Sequence, residues 1–478
     1  MRAHSFFITL ILFLLCLAGK TQDTLNRLYG TYEVETGKTG IVLSDSTIYA
    51  VGTSSAFISM SSQAYLIKLD KQGSILWSKF YGGSGVDDAM DMFFDVDSSI
   101  YIVCNSYNGP AKGYDVKIIK VDNDGNLQWE KAFGTSEWDV PAKILKCDLG
   151  TYMVCGYTYG GTGAMKDGML FKFTDAGDSL QFSTFGGPTD DIFTDFMMRN
   201  TDTLVVCGIT TGSNGKTRGW LLEQKISGGT IGDYKFGLAY NHQFNAITKS
   251  QFQHYLIGAT TDSTAGGDFS MVGKIIERNT KATTLDFILG GSAEEHCTDI
   301  LCFGGYNYIL GNTKSYGYGG FDAVLYQFID GYWSPRGGTW GTADDDYANS
   351  VVTNAIGYFT IFGTSQEMYG VSDLWVINCD TTYMQNTTVS SQLDVNGVQE
   401  TNPNEFNVRV YPNPFSQGVT VSSPKAIVRI CINDCSGKQV GVFENTAQPE
   451  LSSLANGIYF MTVFVKDAIP LTIRIVKG

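Results

Sequence analysis

Tyr101-Ile102-Val103-Cys104-Asn105, then Asp115 to Val121, then Asp122-Asn123-Asp124-Gly125, then Trp129 and the pair Phe133-Gly134 compose one unit of this chain. The closing pair recurs as Tyr29-Gly30, Tyr81-Gly82, Phe133-Gly134, Phe185-Gly186, Phe236-Gly237, Leu289-Gly290 and Trp340-Gly341. Successive glycines lie 52, 52, 52, 51, 53 and 51 residues apart. A fixed period of this length marks a repeat architecture. Within each unit, alternation and turn residues place four short strands. An apolar stretch such as Ala89 to Phe94 comes first. A strongly apolar second strand follows, for example Tyr152-Met153-Val154-Cys155 or Leu204-Val205-Val206-Cys207. It ends on a glycine, or on Asn105 in one repeat, and both residues tolerate the positive φ of a sharp turn. The third strand covers Ala64 to Leu69, Asp115 to Val121, Asp167 to Phe173, Asp322 to Phe328 and Asp373 to Cys379. The fourth carries Trp77, Trp129, Phe182, Tyr234 or Phe287 and runs to the next closing pair.

Four strands per repeat, arranged radially, predict an all-β seven-bladed β-propeller over residues 23–380. The seventh repeat stops after its third strand at Cys379-Asp380. The missing strand is present at residues 24–30, where Leu25-Asn26-Arg27-Leu28-Tyr29-Gly30 has the right ending. It is expected to complete the last blade, hiding two sheet edges that would otherwise be free to pair. The repeat resembles the bacterial secreted propeller repeats built around Gly-Gly-x-x-x-Asp, a Tyr-Ile-Val-x-Gly strand and an Asp-x-x-x-x-Lys strand. That resemblance implies a fold and no activity, since propellers host unrelated functions. Trp77 and Trp129 also resemble the tryptophans that lock neighbouring blades in quinone-dependent dehydrogenases; only two repeats keep them, so the likeness is to packing.

The two ends give an address. Arg2 and His4 precede the apolar run Phe6 to Leu17, with Ala18-Gly19 after it. The run is too short to span a bilayer, so residues 1–22 are expected to be a cleaved signal peptide. No later stretch is apolar enough for a transmembrane helix. Residues 381–405 turn polar and are expected to be a linker. Residues 406–478 carry Tyr411-Pro412-Asn413-Pro414-Phe415, Ser436-Gly437-Lys438, Asn456-Gly457-Ile458-Tyr459-Phe460 and a basic-ended last strand. Alternation there predicts a small immunoglobulin-like sandwich of about seven strands. In order, these landmarks resemble the C-terminal sorting domain of the type IX secretion system. The resemblance implies contact with that machinery, passage through the outer membrane, and release or surface attachment.

A formal charge of −15 excludes nucleic acid, whose recognition needs clustered Lys and Arg. A monomer is expected. Cys104, Cys155 and Cys207 share a slot that Ile257 and Leu310 fill in later repeats, so they are expected to be core thiols.

Five residues after each closing glycine stand Glu35, Asp87, Asp139, Asp191, His242, Glu295 and Asp346. In a closed ring they are expected at equivalent points near one end of the central channel. They either fix a turn through backbone N–H bonds or concentrate a cation, calcium being the one that favours several oxygens. A second recurring acid is placed at Asp115, Asp167, Asp268, Asp322 and Asp373, with Ala64 and Gly219 in the other two repeats, and suggests turn stabilisation. No paired-histidine metal motif, nucleophile elbow or phosphate loop occurs. The expectation is a non-catalytic binding protein using its variable loops, with Tyr107, Tyr157, Tyr159, Tyr316 and Tyr318 as contacts for glycan or protein. The alternative is a secreted hydrolase or lyase drawing acids from the carboxylate set, which would need two carboxyl groups in different environments.

Overall fold

The computed structural model describes residues 25–380 and 408–478 apart from short loop segments, and only 390–393 and 398–399 of the stretch between. The signal-peptide stretch lies outside the described residues. Every regular element described is a strand, and no helix long and apolar enough to cross a membrane occurs among these residues.

Seven antiparallel four-stranded sheets follow one another, and six are continuous in sequence. Blade 2 is typical, with Val86–Phe94 innermost, then Ile100–Tyr107, Tyr114–Val121 and Leu127–Phe133 outermost. Blade 7 combines Tyr347–Thr353, Tyr358–Ser365 and Asp373–Asp380 with the N-terminal Leu25–Gly30, which pairs antiparallel to Asp373–Asp380 in the register Leu28↔Trp375. Leu28 and Trp375 are both buried in one core cluster, and Trp375 Nε1 donates to Asn26 Oδ1 at 2.7 Å.

Blades pack face to face through aromatic and aliphatic residues, and one contact repeats. Tyr81, at the end of blade 1, donates its hydroxyl to Gly125 O in the next blade's hairpin at 2.7 Å, while Trp77 and Lys79 lie against the same turn. Gly125 has φ 74°, and a Cβ there would sit 2.9 Å from the Trp77 ring, so the turn takes glycine for both conformation and space. Tyr29 of the N-terminal strand makes the same bond to Gly73 O, also at 2.7 Å. The closing strand therefore docks on blade 1 as blade 1 docks on blade 2. The described cysteines are free thiols, all buried except the half-buried Cys302.

Two features depart from expectation. Within the 381–405 stretch, Ser390–Leu393 pairs parallel to Leu25–Gly30 and Val398–Gln399 pairs parallel to Ile75–Tyr81, adding fifth strands to two blades. Polar composition hides this because an edge strand held by backbone bonds needs no apolar face. The described residues of the C-terminal unit form six strands, a two-stranded sheet and a four-stranded one, around Phe415, Val421, Ile430, Ile432, Met461, Val463 and Ile475.

Candidate functional site: blade junctions, channel and aromatic strip

The six recurring acids Glu35, Asp87, Asp139, Asp191, Glu295 and Asp346 are buried, and each accepts the backbone N–H four residues before it, at 2.5–3.2 Å. That donor follows the closing glycine, so the carboxylate fixes the passage from one blade to the next. Cross-strand from them stand hydroxyl residues, Ser54, Ser106, Thr158, Thr210, Thr313 and, in line, Ser365. Ser54 donates to Glu35 at 2.7 Å and Thr313 to Glu295 at 3.3 Å. Each of these carboxylates stands at the start of an innermost strand and reaches back to the passage from the preceding blade, where its N–H donor lies. His242 is half-buried, and burial lowers its pKa.

The second recurring position also shifts. Strand register puts Gln63, Asp115, Asp167, Arg218, Ser270, Asp322 and Asp373 opposite the hydroxyl residues, so Ala64, Gly219 and Asp268 are not its members. Four junctions consequently hold two acids over one closing glycine: Asp115 with Asp139, Asp167 with Asp191, Asp322 with Asp346, and Asp373 with Glu35. Elsewhere the pair is broken. At blades 1 and 2, Gln63 replaces the acid and Lys117 reaches Asp87 at 2.6 Å. At blades 4 and 5, Arg218 donates to Gly237 O at 2.9 Å. Burial, then the facing Glu35, push Asp373 up to about 8. Burial raises Asp322 to about 6, with Asp346 adding to it against the Tyr318 N–H.

A further charged set lies one turn along the innermost strands. Asp91, Lys143, Asp195 and Asp299 come from blades 2, 3, 4 and 6 yet act on one another, which places them around the axis. Asp91, Asp195 and Asp299 accept N–H groups of Ile144, Ile247 and Val351 at 2.8–2.9 Å. Burial lifts Asp195 to about 7 despite Lys143. Burial pulls Lys143 down, but Asp91, Asp299 and Asp195 together hold it above its ordinary range. Sequence reasoning missed this set because a β-bulge precedes each member and shifts it out of simple alternation.

Aromatic side chains gather at the loop end of blades 2 and 3. Ring centroids run Tyr107 to Tyr114 at 5.1 Å, Tyr114 to Trp138 at 5.0 Å, Trp138 to Tyr159 at 6.0 Å and Tyr159 to Tyr157 at 6.1 Å. Lys166 Nζ lies 4.9 Å from the Tyr157 centroid. Trp138 is 46% exposed and the four tyrosines are half-buried. Three predicted tyrosines are thus brought together, and Tyr114 and Trp138 complete the strip. Both flank recurring acids (Asp115 and Asp139), a position relative to the repeat that could have revealed them. Tyr316 and Tyr318 lie elsewhere, in blade 6, 47% and 61% exposed. Tyr316 Oη donates to Gly290 O at 3.3 Å, and neither joins the strip.

Beyond Lys166 the strip leads to a cleft of about 510 Å³ between blades 3 and 4. Asp191 lines it, and its N–H donates to Lys166 O at 2.8 Å. The lining combines Trp220 and Phe185 with the hydroxyls of Thr189, Thr210, Thr211, Ser213 and Thr230, and with Arg218, Asp233 and Lys235. Blade 3 carries Gln181 and Ser183 where blades 1 and 2 carry Trp-x-Lys, and next to Thr230 of this lining no described atom beyond the chain neighbours lies within 4 Å of where a Cβ on Gly228 or Gly229 would stand.

Residues 409–477 match the family of secretion system C-terminal sorting domains. The chain is accordingly a secreted β-propeller protein with a type IX sorting tail, which addresses it for export and attachment at the cell surface. No curated protein matches it. Among solved structures it is similar to PorZ, a surface component of the type IX secretion system of Porphyromonas gingivalis, at 14% identity over 95% of this chain and 70% of that one (TM-score 0.37). It is also similar to an ulvan lyase of polysaccharide lyase family 25, at 12% identity over 76% of this chain and 98% of that one (TM-score 0.50). A third is the propeller domain of a trilobed protease from Pyrococcus furiosus, at 9% identity over 72% and 96% (TM-score 0.43). At these identities the likeness is one of fold.

Proposed function

We propose that residues 23–380 form a non-catalytic binding unit that holds an extended glycan at the cell surface. The strip from Tyr107 through Tyr114, Trp138, Tyr159 and Tyr157 carries this reading. It offers rings for stacking on sugar faces and leads, past Lys166, into a cleft lined by hydroxyls and Trp220. Amphipathic rings of low conformational cost beside adaptable hydroxyls are the side chains that suit a polar chain ligand. Two carboxylates line the cleft: Asp191 is buried and takes the Gly187 N–H, and Asp233 takes the Trp220 indole N–H, engagements that support structural roles for both over a part in cleavage.

The test is a glycan array probed with the full chain and with Trp138→Ala. Wild type is expected to be retained on a subset of glycans, and the variant to lose roughly tenfold or more in affinity, about the worth of one stacked aromatic. Melting should be unchanged, because Trp138 is an exposed loop residue. Retention equal in both proteins excludes the strip. Retention only on protein probes shifts the ligand class to protein.

A further inference from the structure

The acid pairs flanking blade 7 differ from an ordinary buried turn. At the junction of blades 7 and 1, Glu35 and Asp373 are both fully buried. Glu35 is well served, by the N–H and hydroxyl of Thr31 and by the Ser54 hydroxyl, at 2.7–2.9 Å. Asp373 is not: among the described residues neither of its oxygens has a hydrogen-bond partner. One of them points at the same small space as Glu35. A Cβ on Gly30 would lie 1.8 Å from Asp373 Oδ1 and 2.7 Å from Glu35 Oε2, so only a glycine lets the two carboxylates close together over this turn.

The junction of blades 6 and 7 repeats this geometry. A Cβ on Gly341 would lie 1.8 Å from Asp322 Oδ1 and 3.0 Å from Asp346 Oδ2. Asp322 Oδ1 and Asp346 Oδ1 have no partner, while Asp322 Oδ2 takes the Tyr318 N–H at 3.0 Å and Asp346 Oδ2 takes the Thr342 N–H and hydroxyl.

Two buried carboxylates side by side repel each other and lack the water that would solvate them. A shared proton would remove one of the two charges. A divalent cation removes both. Where the pair is broken at blades 1 and 2, the chain itself supplies a positive charge in Lys117. The donors are carboxylate and hydroxyl oxygens without histidine or cysteine, a hard set that suits calcium, whose oxygens lie at about 2.3–2.6 Å. Two acids are few for such a site, and no cluster of three His, Cys, Asp or Glu occurs among the described residues. Hydroxyls, main-chain carbonyls and water would supply the remaining ligands, as in weak extracellular calcium modules.

We infer that the Glu35–Asp373 and Asp322–Asp346 pairs each bind one calcium ion, so that two ions clamp blade 7, the blade completed by the N-terminal strand.

The full chain, freed of metal with EDTA and dialysed at neutral pH, is titrated with calcium chloride by calorimetry and melted with and without calcium. Two sites with dissociation constants of about 0.1–1 mM are expected, together with a higher melting temperature in calcium. Asp373→Asn and Asp322→Asn, which keep side-chain shape, should each lower the stoichiometry by one, and the double variant should show no heat. Absence of heat and of any calcium-dependent melting shift in wild type overturns the proposal. So does a stoichiometry that survives the double variant. If a variant fails to fold, terbium luminescence of the wild-type chain decides: sensitised emission displaced by calcium supports the sites, and its absence overturns them.

Discussion

Asp195 lies near the axis with Lys143 and Asp299 as charged neighbours, and its two oxygens accept the Phe196 and Ile247 N–H groups, each at 2.8 Å. Burial raises it from 3.8 to about 7. The folded chain therefore binds more protons than the unfolded chain between those two values. Its contribution to stability is greatest near pH 4, falls as pH rises and is least favourable above 7. Asp195→Asn removes the charge and keeps an acceptor for one of the two N–H groups, as the protonated carboxyl does. It should melt a few degrees above wild type at pH 8, with the gap closing toward pH 4. A gap that does not change with pH contradicts the assignment. At this scale the sequence was informative about recurrence and poor about direction. The interval of five residues found Glu35 and its counterparts because six of the seven junctions have the same N–H accepted. It could not show that they turn between blades, nor that Asp373 and Asp322 meet them there, since those contacts join residues of different strands. Loop length varies before the third strand, which is why Asp268 looked equivalent to Asp322 and the ladder places Ser270 there instead.

Among elements, the N-terminal strand has the largest consequence for its size. Six residues, Leu25–Gly30, supply the fourth strand of blade 7 and the Tyr29 contact to blade 1. Leu28 is fully buried against the core that contains Trp375. Leu28→Ala should cost about 2–5 kcal/mol, read as a lower urea midpoint with an unchanged slope. A midpoint within error of wild type would mean that the strand can leave the blade at little cost. The position of this strand was legible because its ending, Leu-Tyr-Gly, matches the other closing pairs. The strands Ser390–Leu393 and Val398–Gln399 were not legible. They are short, polar and held to their neighbours by main-chain pairing, which leaves no side-chain period to read.

At the level of the whole molecule, radial repetition explains both the fold and the location of the candidate binding surface. What recurs in nearly every blade, such as the junction acids and cross-strand hydroxyls, holds blades together. What departs from the repeat is free for recognition: Trp138 and Tyr114 beside the acids of blades 2 and 3, and Gln181 and Ser183 in place of the Trp-x-Lys of blades 1 and 2. The architecture and the sorting tail follow from period and landmarks. The proposed ligand does not, because the side chains proposed to meet it vary from blade to blade and obey no period. The central claim is that this surface binds an extended chain and leaves it intact. The most direct measurement incubates the full chain with glycans it retains and follows both retention and ligand length over time. Stable retention with no new chain ends is the predicted result. Progressive shortening of the ligand by wild type would contradict it.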